Sequence, residues 1–314
     1  MLIKELVELF DILDSPQASG QVAKDYLLSL NEKADINVNT MQGAKGSTDF
    51  IKIKIPGSNG KTVGGKAPTL GVVGRLGGLG ARTTKIGFVS DGDGALAALT
   101  VAAKLLKMQE RGDVLEGDVI VSTHICPNAP TSPHKPVPFM GSPVSMVDMN
   151  AAEVDNQMDA ILSIDTTKGN RIINKRGISI SPTVKEGYIL KVSNDLMDIM
   201  QTTTGMNPEV FALSQQDITP YGNDLFHINS ILQPATATNA PVVGVAIGTQ
   251  TMVAGCATGA SHFVDVEEAA RFAVEVAKAF SERSCYFYDE NEFEKIVEKY
   301  GKLQIFQTKG KENC

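Results

Sequence analysis

Groups able to do chemistry fall in a few short segments of this 314-residue chain. Asp91-Gly-Asp93-Gly94-Ala95 offers two carboxylates, and Ser163-Ile-Asp165-Thr a third. Thr123-His124-Ile-Cys126-Pro-Asn-Ala-Pro130 brings an imidazole and a thiol, and Gly259-Ala-Ser-His262 a second imidazole. Such groups move protons, attack carbonyls or ligate metals. Arg75 follows an apolar run and sits among glycines, which suits a cation reaching a carboxylate or a substrate anion. Plainer roles stay open at this point. Asp91 and Asp93 could cap the helix that follows them, His124 and Cys126 could be packed residues of a proline-stiffened loop, and His262 could be a satisfied surface histidine.

Three nucleotide or calcium motifs fail on spacing. Gly57-Ser-Asn-Gly60-Lys61-Thr62 lacks the earlier glycine of a phosphate loop, because Ile55 stands there, and the alternative frame Gly60 to Gly65-Lys66 puts Ala67 where a magnesium-binding hydroxyl belongs. The segment reads instead as a hairpin loop. Gly74-Arg-Leu-Gly77-Gly78-Leu-Gly80 lacks dinucleotide-loop spacing, and Asp91-Gly-Asp93-Gly94 lacks the later ligands of a calcium loop.

These segments need a scaffold, and hydrophobic periodicity supplies one. Leu2, Leu6, Phe10 and Leu13, then Val22, Tyr26, Leu27 and Leu30, fall at helical spacing, so residues 1–35 read as two opening helices. Residues 50–55 alternate as a strand, and residues 70–73, 85–89 and 119–122 read as short buried strands. Residues 95–109 form an amphipathic helix between them. Further strands are expected at 161–164, 178–180, 210–212 and 242–247, and a last helix at 266–280, started by Asp265 with Glu268 in capping-box spacing. The alternation predicts an α/β fold with a largely parallel, mixed sheet, helices on both faces and a site at the carboxyl ends of the strands. One domain spanning 1–314 is the simplest organisation, with a minor lobe within 168–235 as a variant and residues 127–143 as a surface lid.

A net charge of −7 and no run of basic residues argue against nucleic acid or anionic membrane as the main partner. Cys126, Cys256, Cys285 and Cys314 form no CxxC pair and read as free thiols in a reducing, cytoplasmic setting. No signal peptide or membrane span is visible.

The opening helices around Ser19-Gly20, Gly46-Ser-Thr-Asp-Phe-Ile-Lys, the strand before Arg75 and the three segments at Asp91–Ala95, Ser163–Thr166 and Gly259–His262 together resemble the cytosolic co-catalytic zinc aminopeptidases and related deacylases. The stretch Thr123 to Pro130 also resembles a bacterial and archaeal family of unknown function. The first resemblance implies a zinc-aminopeptidase-like (phosphorylase/hydrolase-like) core in which Asp91 bridges, Asp165 ligates one metal and His262 the other. It also implies losses. Arg75-Leu-Gly77 stands where that family has histidine-x-aspartate, and an arginine has no lone pair for zinc; Cys126-Pro127 falls where its paired glutamates lie. The expectation is a hydrolase of a small amide, peptide or amino-acid derivative with one zinc or other divalent metal per chain. Asp91, His262 and either Cys126 or His124 would hold that metal, Asp93, or Glu267 or Glu268 if they reach, would act as base, and Arg75 would pair with Asp165 or Asp91 in place of the second metal. The rival expectation is a non-catalytic ligand-binding or structural protein on the same scaffold. A small molecule or short peptide is the expected ligand, and a homo-oligomer the expected assembly.

Overall fold

The computed structural model describes residues 2–75, 87–133 and 139–311. Helices α1 (Ile3–Asp14) and α2 (Gly20–Leu30) precede strands β1 (Asp35–Gly43), β2 (Gly46–Ile55) and β3 (Leu70–Gly74). Helix α3 (Asp93–Glu110), strand β4 (Val119–Ile125), the small ladder β5 (Thr131–Ser132) with β6 (Phe139–Met140), and helix α4 (Met146–Glu153) come next. Strands β7 (Ala160–Thr167), β8 (Gly177–Ile180), β9 (Val184–Lys185) and β10 (Tyr188–Ile189) lead to α5 (Asn194–Thr204). Strand β11 (Val242–Gly248) and helices α6 (Phe263–Ser281) and α7 (Glu290–Tyr300) complete the order.

The sheet is mixed α/β in the expected sense. Its centre, β4-β3-β7-β11, is parallel, while β2 and β1 extend one side and β8, β9 and β10 the other in antiparallel pairing. Ile51, Ile53, Ile55, Leu70, Val72, Val119, Val121, Leu162, Ile164, Val243 and Val245 point to one face, where they join the leucines of α1 and the buried sides of α3 and α6 in one core. The other face buries Val73, Ile120, Ile161, Val242 and Ala246 against Phe211, Ile218, Ile231 and Leu232. Helices therefore do not divide evenly. The long ones gather on the first face, and the second is covered by loops, single helical turns and the short α4, whose Met149 packs on Phe50.

Several expectations need correction. The segment read as a hairpin loop is a crossover, because β4 lies between β2 and β3. Its conformation is fixed by Asp118, whose carboxylate accepts from Gly57 N (2.8 Å), Thr62 N (2.8 Å) and Thr62 Oγ1 (2.9 Å), and a Cβ on Gly60 would lie 1.8 Å from that carboxylate. The loop is therefore already filled by an internal anion. Of the strand expected at 210–212 only a bridge between Val210 and Ile180 forms, and of that at 85–89 the described part makes only a bridge from Val89 to Thr258; the rest lies outside the described residues, as do Gly77, Gly78 and Gly80. Helix α6 starts at Phe263 with His262 at its N-cap, three residues before the Asp265 cap expected from the capping-box spacing.

Two glycines set how closely α3 meets the sheet. A Cβ on Gly74 would lie 2.5 Å from Gly94 O, and one on Gly94 would lie 2.4 Å from Arg75 O and 2.7 Å from Ile164 O. Backbone thus touches backbone where β3 and β7 end and α3 begins, and the Ala95, Ala97, Ala98, Ala102 and Ala103 surface continues the close fit. Gly94→Ala should consequently destabilise the fold by about 1 to 3 kcal/mol through overpacking, although in an exposed helix the same change gains roughly 1 kcal/mol. Urea unfolding decides the sign, and a variant as stable as the parent would mean that the contact yields easily.

Candidate functional site

Strand alternation selects the site. Residues of β3, β4 and β7 that share the face of Val73, Ile120 and Ile161 continue, two by two, to Arg75, to Ser122 and His124, and to Ser163, Asp165 and Thr167. All are at or near the carboxyl ends of parallel strands, where α/β folds place chemistry. Asp91 and Asp93 reach the same end from the helical turn Ser90–Gly92 and the start of α3.

Arg75 and Glu153 form a fully buried ion pair, with both side chains at 0% exposure. The other carboxylate oxygen of Glu153 bonds His124 Nδ1 at 2.7 Å, and the Glu153 carbonyl accepts from Ser122 Oγ at 2.6 Å. Arg75 Nη2 also contacts Met146 Sδ at 2.8 Å, while its buried Nε has no hydrogen-bond partner among the described residues. Arg75 was expected to bond Asp165 or Asp91; it bonds Glu153 instead, because α4 brings a carboxylate into the space beside β3 and β4. Its charge still bears on Asp165 and pulls that carboxyl's pKa down.

Asp165 accepts from Thr166 N (2.6 Å) and Ser230 Oγ (3.3 Å). Burial raises its pKa to about 7, with Arg75 opposing the rise and the charge of Asp91 adding to it. Burial likewise raises Asp91 to about 6, with Asp93 reinforcing the shift and Lys168 opposing it. Asp91 is held by its backbone N–H to Gly255 O (3.1 Å), and its carboxyl packs so closely that a Cβ on Gly255 would lie 2.1 Å from it. Neither Asp91 nor Asp165 is ion-paired to a lysine or arginine within 4 Å among the described residues. Tyr221, whose phenol burial raises to about 12, lies in the same electrostatic field.

Asp93 is differently placed. Its Oδ2 is 2.8 Å from Lys168 Nζ, with the two side chains 0% and 4% exposed, and Lys168 also donates to Ala260 O at 3.3 Å. Burial raises the Asp93 pKa, and the paired Lys168, the neighbouring Ser261 hydroxyl and the charge of His262 oppose the rise.

The ligand set expected from the sequence does not assemble. His124 is committed to Glu153 through Nδ1. Cys126 donates to Ser47 O at 3.5 Å, and burial raises its thiol pKa, against the thiolate that a metal requires. His262 remains 40% exposed with Nδ1 4.0 Å from Asp265. Among the described residues no group of three or more histidine, cysteine, aspartate or glutamate side chains is placed to hold a metal ion. The three-ligand arrangement is therefore not formed among the described residues. Glu153, Lys168, Tyr221 and Ser230 escaped the reading of the sequence. Lys168 had a signal, a cation three residues beyond Asp165 at the strand end; Glu153, in an eight-residue helix, had none.

Comparison with known proteins adds three findings. A solved structure described as "Bottromycin maturation enzyme BotP" superposes with a TM-score of 0.54 at 13% sequence identity, covering 90% of this chain and 70% of that one. At that identity the likeness is one of fold alone. No curated protein sequence matches the chain. Residues 39–310 match the family described as "Protein of unknown function (DUF1177)", and the chain belongs to that family.

Proposed function

We propose that the protein is a hydrolase of a small amide, short peptide or amino-acid derivative whose acid–base chemistry is carried by Asp91 and Asp165. The observation behind this reading is the pair of carboxyls brought to about 6 and about 7 by burial at the carboxyl ends of the strands. Like charges in one buried site do not both ionise at neutral pH. One carboxylate can then deprotonate water while the other, still protonated, gives its proton to the leaving nitrogen. Asp93, expected as the base, is tied to Lys168 and leaves this role to its neighbours. Likeness of fold to a maturation enzyme supports an enzymatic role without naming the reaction.

A second reading has an observation of its own. Asp91 and Asp165 repel each other and neither is bonded to a cationic side chain among the described residues, which is also how two carboxylates would stand to share one zinc or other divalent ion. Calorimetric titration separates the two readings. The carboxyl-pair reading expects turnover of N-acyl amino acids or dipeptides that withstands chelator, whereas activity lost to EDTA and restored by about one equivalent of metal favours the second. Binding without turnover of any such substrate would point to a ligand-binding protein.

Two outcomes are expected on the first reading. kcat/KM should follow a bell with limbs near pH 6 and pH 7, and Asp91→Asn or Asp165→Asn should lower it by roughly 10² to 10⁴. Variants that keep full activity would sink the assignment.

Stability should report the same groups. Because the folded-state pKa of Asp165 lies above the ordinary value of 3.8, its stabilising contribution is complete below about pH 4 and is lost as pH rises through 7. Asn at this position does not titrate. The stability of Asp165→Asn relative to the parent should therefore climb between pH 4 and pH 7 and flatten above, by on the order of 1 to 3 kcal/mol. A pH-independent difference in denaturant unfolding would show that Asp165 ionises normally.

A further inference from the structure

We infer that the protein forms a two-fold dimer with a second copy of its own chain through the outer edge of β1, the two β1 strands pairing antiparallel so that both sheets run on as one. β1 stands at the end of the sheet and pairs with β2 at every one of its residues, from Asp35↔Lys54 to Gly43↔Gly46. Among the described residues, no backbone group of 35–43 bonds to the backbone of any segment outside that ladder. A strand paired on one side alone turns about half of its N–H and C=O groups outward, as a row of donors and acceptors ready for another strand.

The two edges of the sheet are built differently. The far edge, β10, is two residues long and packs against α7, with the Tyr188 ring 6.0 Å from that of Phe293. Shortness and cover both keep an edge from pairing further. β1 has neither, and it lacks the other common guards: it holds no proline or lysine, its register with β2 has no bulge, and its single charged residue, Asp35, is the first. Asn37, Asn39, Thr40 and Gln42 are exposed and neutral.

This edge is complementary to itself, which is what a two-fold contact requires. Antiparallel pairing centred on Asn39 sets Val38 of each copy against Thr40 of the other, Asn37 against Met41, Ile36 against Gln42 and Asp35 against Gly43, so no like charges meet. Apolar surface lies on both sides of the edge. On one face α2 rests on β1, where a Cβ on Gly20 would come 2.8 Å from Val38 Cγ1, and leaves Val22 38% exposed. On the other, α4 packs beside Met41 and Phe50 and leaves Val147 60% exposed. Such flanks widen a contact that strand pairing alone would leave narrow. β1 carries none of the candidate site residues, so the pairing is independent of the chemistry at Asp91 and Asp165.

Light scattering after gel filtration tests the pairing, and the parent should show the mass of two chains that dissociate on dilution. Asn39→Lys and Asn39→Asp each bring like charges face to face at the two-fold axis. Either should weaken association by roughly tenfold or more, and an equimolar mixture of the two variants should regain the parent's dimer. Hydrogen exchange gives a readout that needs no variant: amides of residues 36–42 should gain protection as the parent passes from monomer to dimer with rising concentration, and those of β10 should not. A parent that stays monomeric, or a dimer that neither variant weakens, overturns the inference. So does a dimer whose formation leaves exchange in β1 unchanged, and that measurement decides alone if a variant fails to fold.

Discussion

A carboxylate withdrawn from water has to be matched by a cation or neutralised by a proton, and that requirement organises the carboxyl-terminal end of this sheet. Glu153, Asp93, Asp91 and Asp165 converge there. Glu153 takes Arg75 and Asp93 takes Lys168. The two left over have no such partner among the described residues, and burial raises their pKa values into the range where protons are exchanged at neutral pH. The two kinds of cation suit their places. The flat guanidinium of Arg75 fits between strands and α4, while the compact ammonium of Lys168 enters a pocket of oxygens.

The backbone is built to bring these groups together. Parallel strands end side by side, so Arg75, His124 and Asp165 arrive on one face from β3, β4 and β7, and the Gly74–Gly94 contact presses the start of α3 against those ends. Ser90 adds a second clasp: its hydroxyl reaches Ala254 O (3.2 Å) and Gly255 O (3.1 Å), and its carbonyl accepts from Thr166 Oγ1 at 2.8 Å. The turn that carries Asp91 is thereby tied both to β7 and to the segment after β11. A wider separation would admit water and return both acids to ordinary behaviour.

How much of this was legible in the sequence follows from the range of the interactions. Largely apolar runs at 70–73, 119–122, 161–164 and 242–247 identified the four central strands, because strands buried on both faces carry that signature. The polar β1 (DINVNTMQG) and the two-residue β9 and β10 did not show, since edge strands bury little and alternate weakly. Asp91, Asp93, Asp165 and Arg75 were found because glycines and strand ends frame them. Their partners were not. Glu153 lies 78 residues from Arg75 and Lys168 lies 75 from Asp93, and pairing over such distances is decided by tertiary packing that no local pattern encodes. The neighbours of Cys126 and His124, Ser47 and Glu153, are equally invisible, because a ligand-like residue type says nothing of which neighbour claims it first.

The two unpaired acids are hard to explain by packing. Asp165 accepts from Thr166 N and Ser230 Oγ, and the oxygen of an asparagine could accept from either without a charge to bury. Asp91 is held mainly through its backbone and through the loop at Gly255, so its carboxyl adds repulsion and little restraint. Burying an ionisable group where an amide would serve lowers stability above the group's ordinary pKa. A fold that accepts this cost twice, side by side, where its parallel strands end, has the form of a site in which stability is exchanged for proton transfer or ion binding. The same logic separates these two from Glu153 and Asp93, whose charges are already matched from within the chain and which therefore serve to hold Arg75 and Lys168 in place around Asp91 and Asp165.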